Sequence, residues 1–323
     1  MKKLAVFRGL YLGDLVAATG ALRALRRGYP EAEITLVTLP WAFALAPHLP
    51  HVDRILPYPG APGLDGGGDE EELEEFLARM RAERFDLAAN MHGRGPTSTR
   101  LVVGFGARLT AGFTGAGAPA LDFEVPWDAE PHESRKLLLL AEKVGGLPAG
   151  ASDGAEPELR VGDDRRARAL LPTRRPLALV HPGASVPEKR WPGEAFGRVA
   201  KRLIQRGHAV AVTGGSEEKE LTRRVAKLAP GSVDLGGRTD LSTLVALVAR
   251  ADVVVSNDTG PAHLAYALRT PSVTLFGPST DVERWGPLDR RRHAVLLGDP
   301  ISELSADAVV ERVEGLVPER LGA

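Results

Sequence analysis

The chain has 323 residues, of which 43% are hydrophobic and 26% charged, the composition of a globular protein rather than a disordered one. Lys and Arg number 41 against 42 Asp and Glu, so net charge gives no basis for general nucleic-acid binding. The absence of cysteine excludes disulfides and thiolate metal sites, and no run of 18 apolar residues offers a membrane-spanning helix.

At roughly 100–200 residues per domain, this length suggests two domains. The N-terminus, MKKLAVFRGLYLGDL, begins like a signal peptide, but Arg8 and Asp14 interrupt any apolar core and no small-residue cleavage site follows. It reads as the first strand and turn of a cytoplasmic domain.

In chain order, residues 4–7 are an expected strand and 15–27 a helix. Strands follow at 34–37 and 52–56, then a Gly-rich loop at 60–69 and a charged amphipathic helix at 70–84. A strand at 85–89 leads into the polar turn 90–96, with a helix at 97–107, a strand at 109–113 and a helix at 132–144. Residues 145–157, rich in Gly, Pro, Ala and Asp, are the expected linker.

The rhythm then restarts. Strands are expected at 177–181, 209–213, 253–256 and 272–276, and helices at 193–206, 217–228, 241–250, 261–268 and 306–316. Short apolar strands alternating with amphipathic helices are the signature of parallel sheets covered by helices. The expected organisation is two α/β domains, 1–155 and 156–323, with a ligand site beyond the carboxyl ends of the strands. Net charge is −5 through residue 160 and +4 beyond it; a basic second half would suit an anionic ligand, but a difference this small usually means nothing.

Four segments carry candidate chemistry. In VVVSNDTGPAHLAYAL (253–268) a strand runs into Asn257, Asp258, Thr259, Gly260 and Pro261, which open a helix. Backbone N–H groups at a helix N-terminus bind phosphate well, Gly260 permits close approach, and His263 lies in the first turn. The plainer alternative is an ordinary strand–helix junction capped by Asp258 or Thr259. In LVHPGASVPEKRWPGEAF (179–196), small residues Gly183 and Ser185 stand beside Lys189 and Arg190. Such a loop can cradle a diphosphate, with Lys189 neutralising charge on a leaving group; solvated loop charges are the alternative. Trp191 is expected to be a core anchor rather than a stacking platform.

In VTGGSEEKEL (212–221), Gly214 and Gly215 allow a nucleotide close to the backbone, and Glu217 or Glu218 could bind ribose hydroxyls. A tight turn before an acidic first helical turn is the bland reading. In FRGLYLGDLVAATGAL (7–22), Asp14 follows the first strand, where a carboxylate can take a proton from an acceptor hydroxyl; a simple helix N-cap is the alternative. No GxGxxG follows the first strand of either half, and no GxxxxGK[ST] or GxSxG is present. His48 and His51 lack a plausible ligand set, so no metal site is expected.

HPGASVPEKRWP (181–192), TGG (213–215), SNDTGPAHLA (256–265) and TLFGPS (274–279), together with the early Gly-Asp, resemble glycosyltransferase family 9, the ADP-heptose:lipopolysaccharide heptosyltransferases. The resemblance covers nearly the whole chain. It implies a GT-B fold: two Rossmann-like parallel-sheet domains facing a cleft, acceptor on the N-terminal domain and nucleotide-sugar on the C-terminal one, with the last helix often returning to the first domain. Matched by position, it implies that Asp14 is the general base and that Lys189 and Ser185 grip the donor phosphates. Asp258, Thr259, Gly260 and His263 would form the donor-site turn. Leu241 falls near the position that packs against the base, Arg8 at a basic position beside the acceptor, and His92 and Arg94 on an acceptor-facing segment. Where the family often carries a Ser/Thr pair in the phosphate loop, this chain has Ala184 and Ser185.

The implied reaction is an inverting, metal-independent transfer of a sugar, a heptose from ADP-heptose, onto a lipopolysaccharide core or another cell-surface glycan. Lys189, Ser185 and the N–H groups at 259–261 would hold the leaving group, with no resident cofactor. The implied partners are a nucleotide-sugar donor and a glycan or glycolipid acceptor, with no nucleic acid. The expected location is the cytoplasm, with peripheral contact at the inner membrane face for a lipid acceptor. Two other functions fit the same architecture: a nucleotide-sugar epimerase, which needs no acceptor, and a non-catalytic nucleotide-sugar binding protein.

Overall fold

A computed structural model describes residues 1–64, 67, 69–148, 154–162, 164–173 and 175–317. Residues 149–153 of the expected linker, and 65, 66 and 68 of the Gly-rich loop, lie outside the described residues. The chain divides into two compact units, Met1–Glu158 and Leu159–Ala323.

Unit 1 runs β1 (Lys3–Phe7), α1 (Leu12–Ala17), α2 (Thr19–Gly28), β2 (Glu33–Thr38), β3 (Arg54–Pro57), α3 (Glu70–Glu83), β4 (Leu87–Asn90), α4 (Pro96–Gly104), β5 (Leu109–Phe113), β6 (Phe123–Val125) and α5 (Glu133–Lys143). Unit 2 runs α6 (Arg165–Leu170), β7 (Leu177–His181), α7 (Gly193–Gln205), β8 (Ala209–Val212), α8 (Lys219–Leu228), β9 (Val233–Asp234), α9 (Leu241–Arg250), β10 (Val253–Asn257), α10 (Gly260–Ala267), β11 (Ser272–Phe276), α11 (Val282–Trp285), β12 (His293–Leu297) and α12 (Ala306–Leu316).

Each unit is built on a parallel sheet. The strand orders are β3-β2-β1-β4-β5-β6 and β12-β11-β10-β7-β8-β9, the same winding read from opposite edges. Central strands such as LALVH in β7 and VVVSN in β10 are buried along their whole length, because helices cover both sheet faces. Winding reverses between β1 and β4 in unit 1 and between β7 and β10 in unit 2. The two strands on either side of such a point send their following loops in opposite directions and leave a crevice beyond their carboxyl ends.

One core of unit 1 gathers Phe7, Tyr58, Phe76 and Phe105, with Tyr58 edge-on to Phe7 at 5.1 Å between ring centroids. The core of unit 2 gathers Trp191, Phe196, Val199, Val212, Val255 and Leu275. Trp191 is indeed a core anchor, edge-on to Phe196 at 5.0 Å, with its indole N–H donating to Leu304 O at 3.1 Å. Helix α12 packs on α7, β11 and β12, and Val309, Val310 and Val313 join the core of unit 2.

The expected single helix over 15–27 is two helices meeting at Ala18. The Thr19 hydroxyl donates to Val16 O at 2.6 Å and accepts the Glu158 N–H at 2.8 Å, a local bond that competes with the helical ladder. Strands β6, β9 and β12 and helices α6 and α11 were not expected from the sequence. β6 and β9 span only three and two residues, too few to show a period, whereas β12, a half-exposed edge strand, does carry an apolar run at 294–297 from which it could have been read. Among the described residues, no helix is long and apolar enough to cross a membrane.

Candidate active-site residues

In unit 2 the candidate donor residues stand beyond three adjacent strands, β10, β7 and β8, apart from Leu241, which opens α9 after β9. Asn257, the last residue of β10, fastens the first two. Its Nδ2 donates to Pro182 O at 3.0 Å and Gly183 O at 3.1 Å, while its Oδ1 accepts the Trp191 N–H at 3.0 Å. Both ends of the loop after β7 are thereby tied to the tip of β10. Asn257 was quoted within a motif, yet its part in holding the site was not read from the sequence. Its signal was an amide residue closing a strand directly before Asp-Thr-Gly.

That tie brings Lys189 to Asp258. Lys189 Nζ lies 2.9 Å from Asp258 Oδ2, and His263 Nε2 lies 3.5 Å from Oδ1 of the same carboxylate. Burial pushes the Asp258 carboxyl up, but His263 and Lys189 outweigh it and hold the group below the ordinary carboxylate value. Asp258 is 4% exposed, whereas the Lys189 side chain is 27% exposed. The cation is therefore fixed by a buried anion while part of it still reaches solvent, where it can meet an anionic ligand.

Thr259 is extended (φ −156°, ψ 177°) and holds the N-cap position of α10, but neither it nor Asp258 makes a side-chain cap bond. Within 259–261 only Thr259 and Gly260 can donate a backbone N–H, because Pro261 has none; the expected row of donors is one shorter than its span. His263, on the first turn of α10, stands edge-on to Trp285 at 6.1 Å and to Tyr266 at 5.4 Å.

Ser185 is exposed in the loop after β7, but Arg190 folds back, with Nε and Nη2 donating to Ala184 O at 3.0 and 2.7 Å. Arg190 braces the loop. After β8, Gly214 is buried and Gly215 exposed, and the neighbouring acidic residues part ways. Glu217 points to solvent, whereas Glu218 accepts the Gly215 N–H at 2.8 Å and lies 3.8 Å from His181 Nε2. Gly183 leaves room for that carboxylate: a Cβ on it would stand 2.0 Å from Glu218 Oε1, and the flexible side chain would have to move. Leu241 is half-buried at the first position of α9, behind the cap that Asp240 gives to the Thr243 N–H at 2.8 Å.

In unit 1 the candidate residues stand beyond β1 and β4, again at the winding reversal. Asp14 is within the first turn of α1, and Tyr11 holds the N-cap position, so Asp14 is not a simple cap. Arg8 is fully buried. Its Nε donates to Asp14 O at 2.6 Å, its Nη1 donates to Met91 O, and its Nη2 lies 3.1 Å from Glu133 Oε1 and 3.5 Å from Asp14 Oδ1. The Arg8 guanidinium therefore has no exposed surface and is bonded to groups of its own unit. His92 stacks on Phe7 at 4.9 Å and accepts the Gly9 N–H at 3.2 Å through Nδ1, while Arg94 is exposed over the Trp127 ring at 5.4 Å. Among the described residues, no three His, Asp or Glu side chains are arranged to hold a metal ion.

The sequence model of glycosyltransferase family 9 (heptosyltransferase) matches residues 74–309, well over half of the chain. The chain belongs to glycosyltransferase family 9. It is therefore a glycosyltransferase, and its two Rossmann-like parallel-sheet units form the GT-B fold of solved heptosyltransferases. It is 29% identical over 297 residues to lipopolysaccharide heptosyltransferase 2 of Salmonella typhimurium, covering 86% of this chain and 83% of that protein. To the protein of the same name from Escherichia coli it is 27% identical, with the same coverage. In fold it is similar to the solved E. coli ADP-heptose lipopolysaccharide heptosyltransferase II, with a TM-score of 0.82, 23% identity and 98% of each chain covered. It is also similar to the E. coli heptosyltransferase WaaC solved with ADP, with a TM-score of 0.75, 21% identity, and 97% and 99% of the two chains covered.

Proposed function

We propose that this family 9 enzyme transfers a heptosyl group from an ADP-linked donor to a lipopolysaccharide core or a related cell-surface glycan. The observation that carries this reading is the Lys189–Asp258 pair, a partly exposed cation 2.9 Å from a buried carboxylate at the N-terminus of α10. A nucleoside diphosphate leaves with its charge on phosphate oxygens, and Lys189, Ser185 and the Thr259 and Gly260 N–H groups supply compensating donors. Gly214, Gly215, Glu217 and Leu241 line the nucleoside side, with His263 beside the diphosphate. The names of the curated relatives support heptose and lipopolysaccharide, and the ADP bound to the E. coli protein supports the base.

In the proposed step the acceptor O–H gives its proton to the Asp14 carboxylate. The acceptor oxygen bonds to the anomeric carbon from the face opposite the diphosphate, the carbon–phosphate-oxygen bond breaks, and configuration inverts. Lys189 takes the part that a metal ion plays in other transferases. His92 and Arg94 are the proposed acceptor contacts, and a lipid-linked acceptor brings the enzyme to the cytoplasmic face of the inner membrane.

The test uses ADP-heptose with a heptose-deficient lipopolysaccharide core. Wild type transfers the sugar with inversion. Asp14→Asn still binds ADP and loses transfer by about a hundredfold or more. A product formed from donor alone supports an epimerase, binding without turnover on any acceptor supports a binding protein, and full turnover by Asp14→Asn removes Asp14 from the mechanism.

A further inference from the structure

The corner that holds Asp14 contains a buried charge pair that the transfer chemistry above does not use. Arg8 directly follows β1 and has no exposed surface, and Glu133 opens α5 at 3% exposure. A buried guanidinium is costly unless it is paired and hydrogen-bonded. Here its nitrogens reach the Asp14 carbonyl at 2.6 Å, the Met91 carbonyl, Glu133 Oε1 at 3.1 Å and Asp14 Oδ1 at 3.5 Å. One side chain therefore joins the start of α1, the loop after β4 and the N-terminus of α5.

The same nitrogen, Nη2, faces two carboxylates and stands closer to Glu133 than to Asp14. Glu133 also benefits from the positive end of α5. The titratable groups bonded into this corner include Arg8, Asp14, Glu133 and, through the Gly9 N–H, His92, and His132 and the buried Lys136 flank Glu133 at the start of α5.

We propose that Arg8 and Glu133 are a positioning pair for Asp14: Arg8 fixes the Asp14 backbone, and Glu133 balances the Arg8 charge so that the Asp14 carboxylate remains available to take a proton. The inference rests on Asp14 being the base. Without Glu133, Asp14 becomes the carboxylate on which the buried guanidinium relies, and an anion held that way is a weaker base.

The test compares Glu133→Gln, the double variant Arg8→Met/Glu133→Leu, and Asp14→Asn, each assayed for kcat, donor KM and the kcat–pH profile. Glu133→Gln is expected to lower kcat about five- to tenfold, with donor KM unchanged and the acidic limb of the profile displaced toward lower pH. The double variant removes both charges, since apolar replacement of a buried pair preserves folding. It is expected to lose about tenfold or more in kcat while binding ADP like wild type, because the Asp14 backbone loses its clamp. Should Glu133→Gln fail to fold, the double variant decides alone.

A fall in kcat for Glu133→Gln with an unmoved acidic limb leaves only a structural role and overturns the proposal. So does wild-type kcat in either variant while Asp14→Asn is inactive. Full turnover by Asp14→Asn defeats the base assignment itself, a result separable from the other two.

Discussion

Asn90 closes β4 and Asn257 closes β10, and both are fully buried beside the winding reversal of their own unit. Asn90 donates through Nδ2 to the Ser98 and Thr99 hydroxyls, each at 3.2 Å, and accepts the His92 N–H at 3.1 Å through Oδ1. Asn257 makes the corresponding set to Pro182, Gly183 and Trp191. A side-chain amide carries two donors and an acceptor on one short stem, so it can tie a strand tip to neighbouring loops where a carboxylate, lacking donors, cannot.

Asn257→Ala is therefore expected to cost unit 2 about 2–4 kcal/mol, since two carbonyls and an N–H lose their partner in a buried setting. Urea unfolding would read the loss. Because the loop that carries Lys189 is tied through Asn257, ADP affinity should fall with it; a stable variant with unchanged affinity would show the loop holds itself.

Lys189→Met leaves Asp258 buried with His263 as its remaining neighbour. The expected loss at neutral pH is about 1–3 kcal/mol, less than for a fully buried pair because Lys189 is partly exposed. The sign with pH follows from the lowered Asp258 value: wild type gains from the ionised carboxylate above the unfolded value of about 3.9 and loses that gain as pH falls below it. The gap between wild type and variant should therefore close as pH drops toward and below about 4. A gap that stays constant down to pH 3 would mean that the pair does not couple to folding.

His293 gives a separate pH signature. It is buried on β12 with Nδ1 3.0 Å from the Ser272 hydroxyl, and burial lowers its value from 6.5 to about 4. A depressed histidine favours the fold while neutral, so its contribution is whole above pH 6.5 and lost progressively as pH falls to about 4. His181 is lowered in the same direction by burial, opposed by Glu218. His293→Gln should flatten, without abolishing, the fall of the urea midpoint between pH 6.5 and 4. An unchanged slope would place the titration elsewhere.

Much of the fold is legible in the sequence alone. The strand at 177–181, the helix at 241–250 and the last helix at 306–316 carry clean apolar periods and capping residues, and the structure places them at those residues. Trp191 reads correctly as a core anchor because it sits between a strand and an amphipathic helix. Tertiary partners were not legible. The resemblance matches Arg8 to a basic position beside the acceptor, but nothing local in the sequence gives its carbonyl and carboxylate partners, which lie at Met91 and Glu133, far along the chain. Glu217 and Glu218 are adjacent and chemically alike, and only the bond from Gly215 N–H separates a turn-forming carboxylate from an exposed one. A β-strand of two residues, such as β9, has no local period to detect and exists because β8 is there to pair with it.

The Gly183 and Glu218 pair offers a test of how the loop after β7 and the turn after β8 depend on each other. A methyl on Gly183 would fall within 2.0–2.4 Å of the Glu218 carboxyl group. The carboxylate is the far end of a flexible side chain, so it can swing away, but doing so gives up the Gly215 N–H and the approach to His181. Gly183→Ala should therefore cost about 1–2 kcal/mol and weaken ADP binding several-fold. If displacement of Glu218 is the whole cause, Gly183→Ala adds little in a Glu218→Ala background. A double-mutant cycle then shows a coupling comparable to the single losses. Additive losses would instead mean that Gly183 matters in its own right, through the approach of a ligand to its backbone.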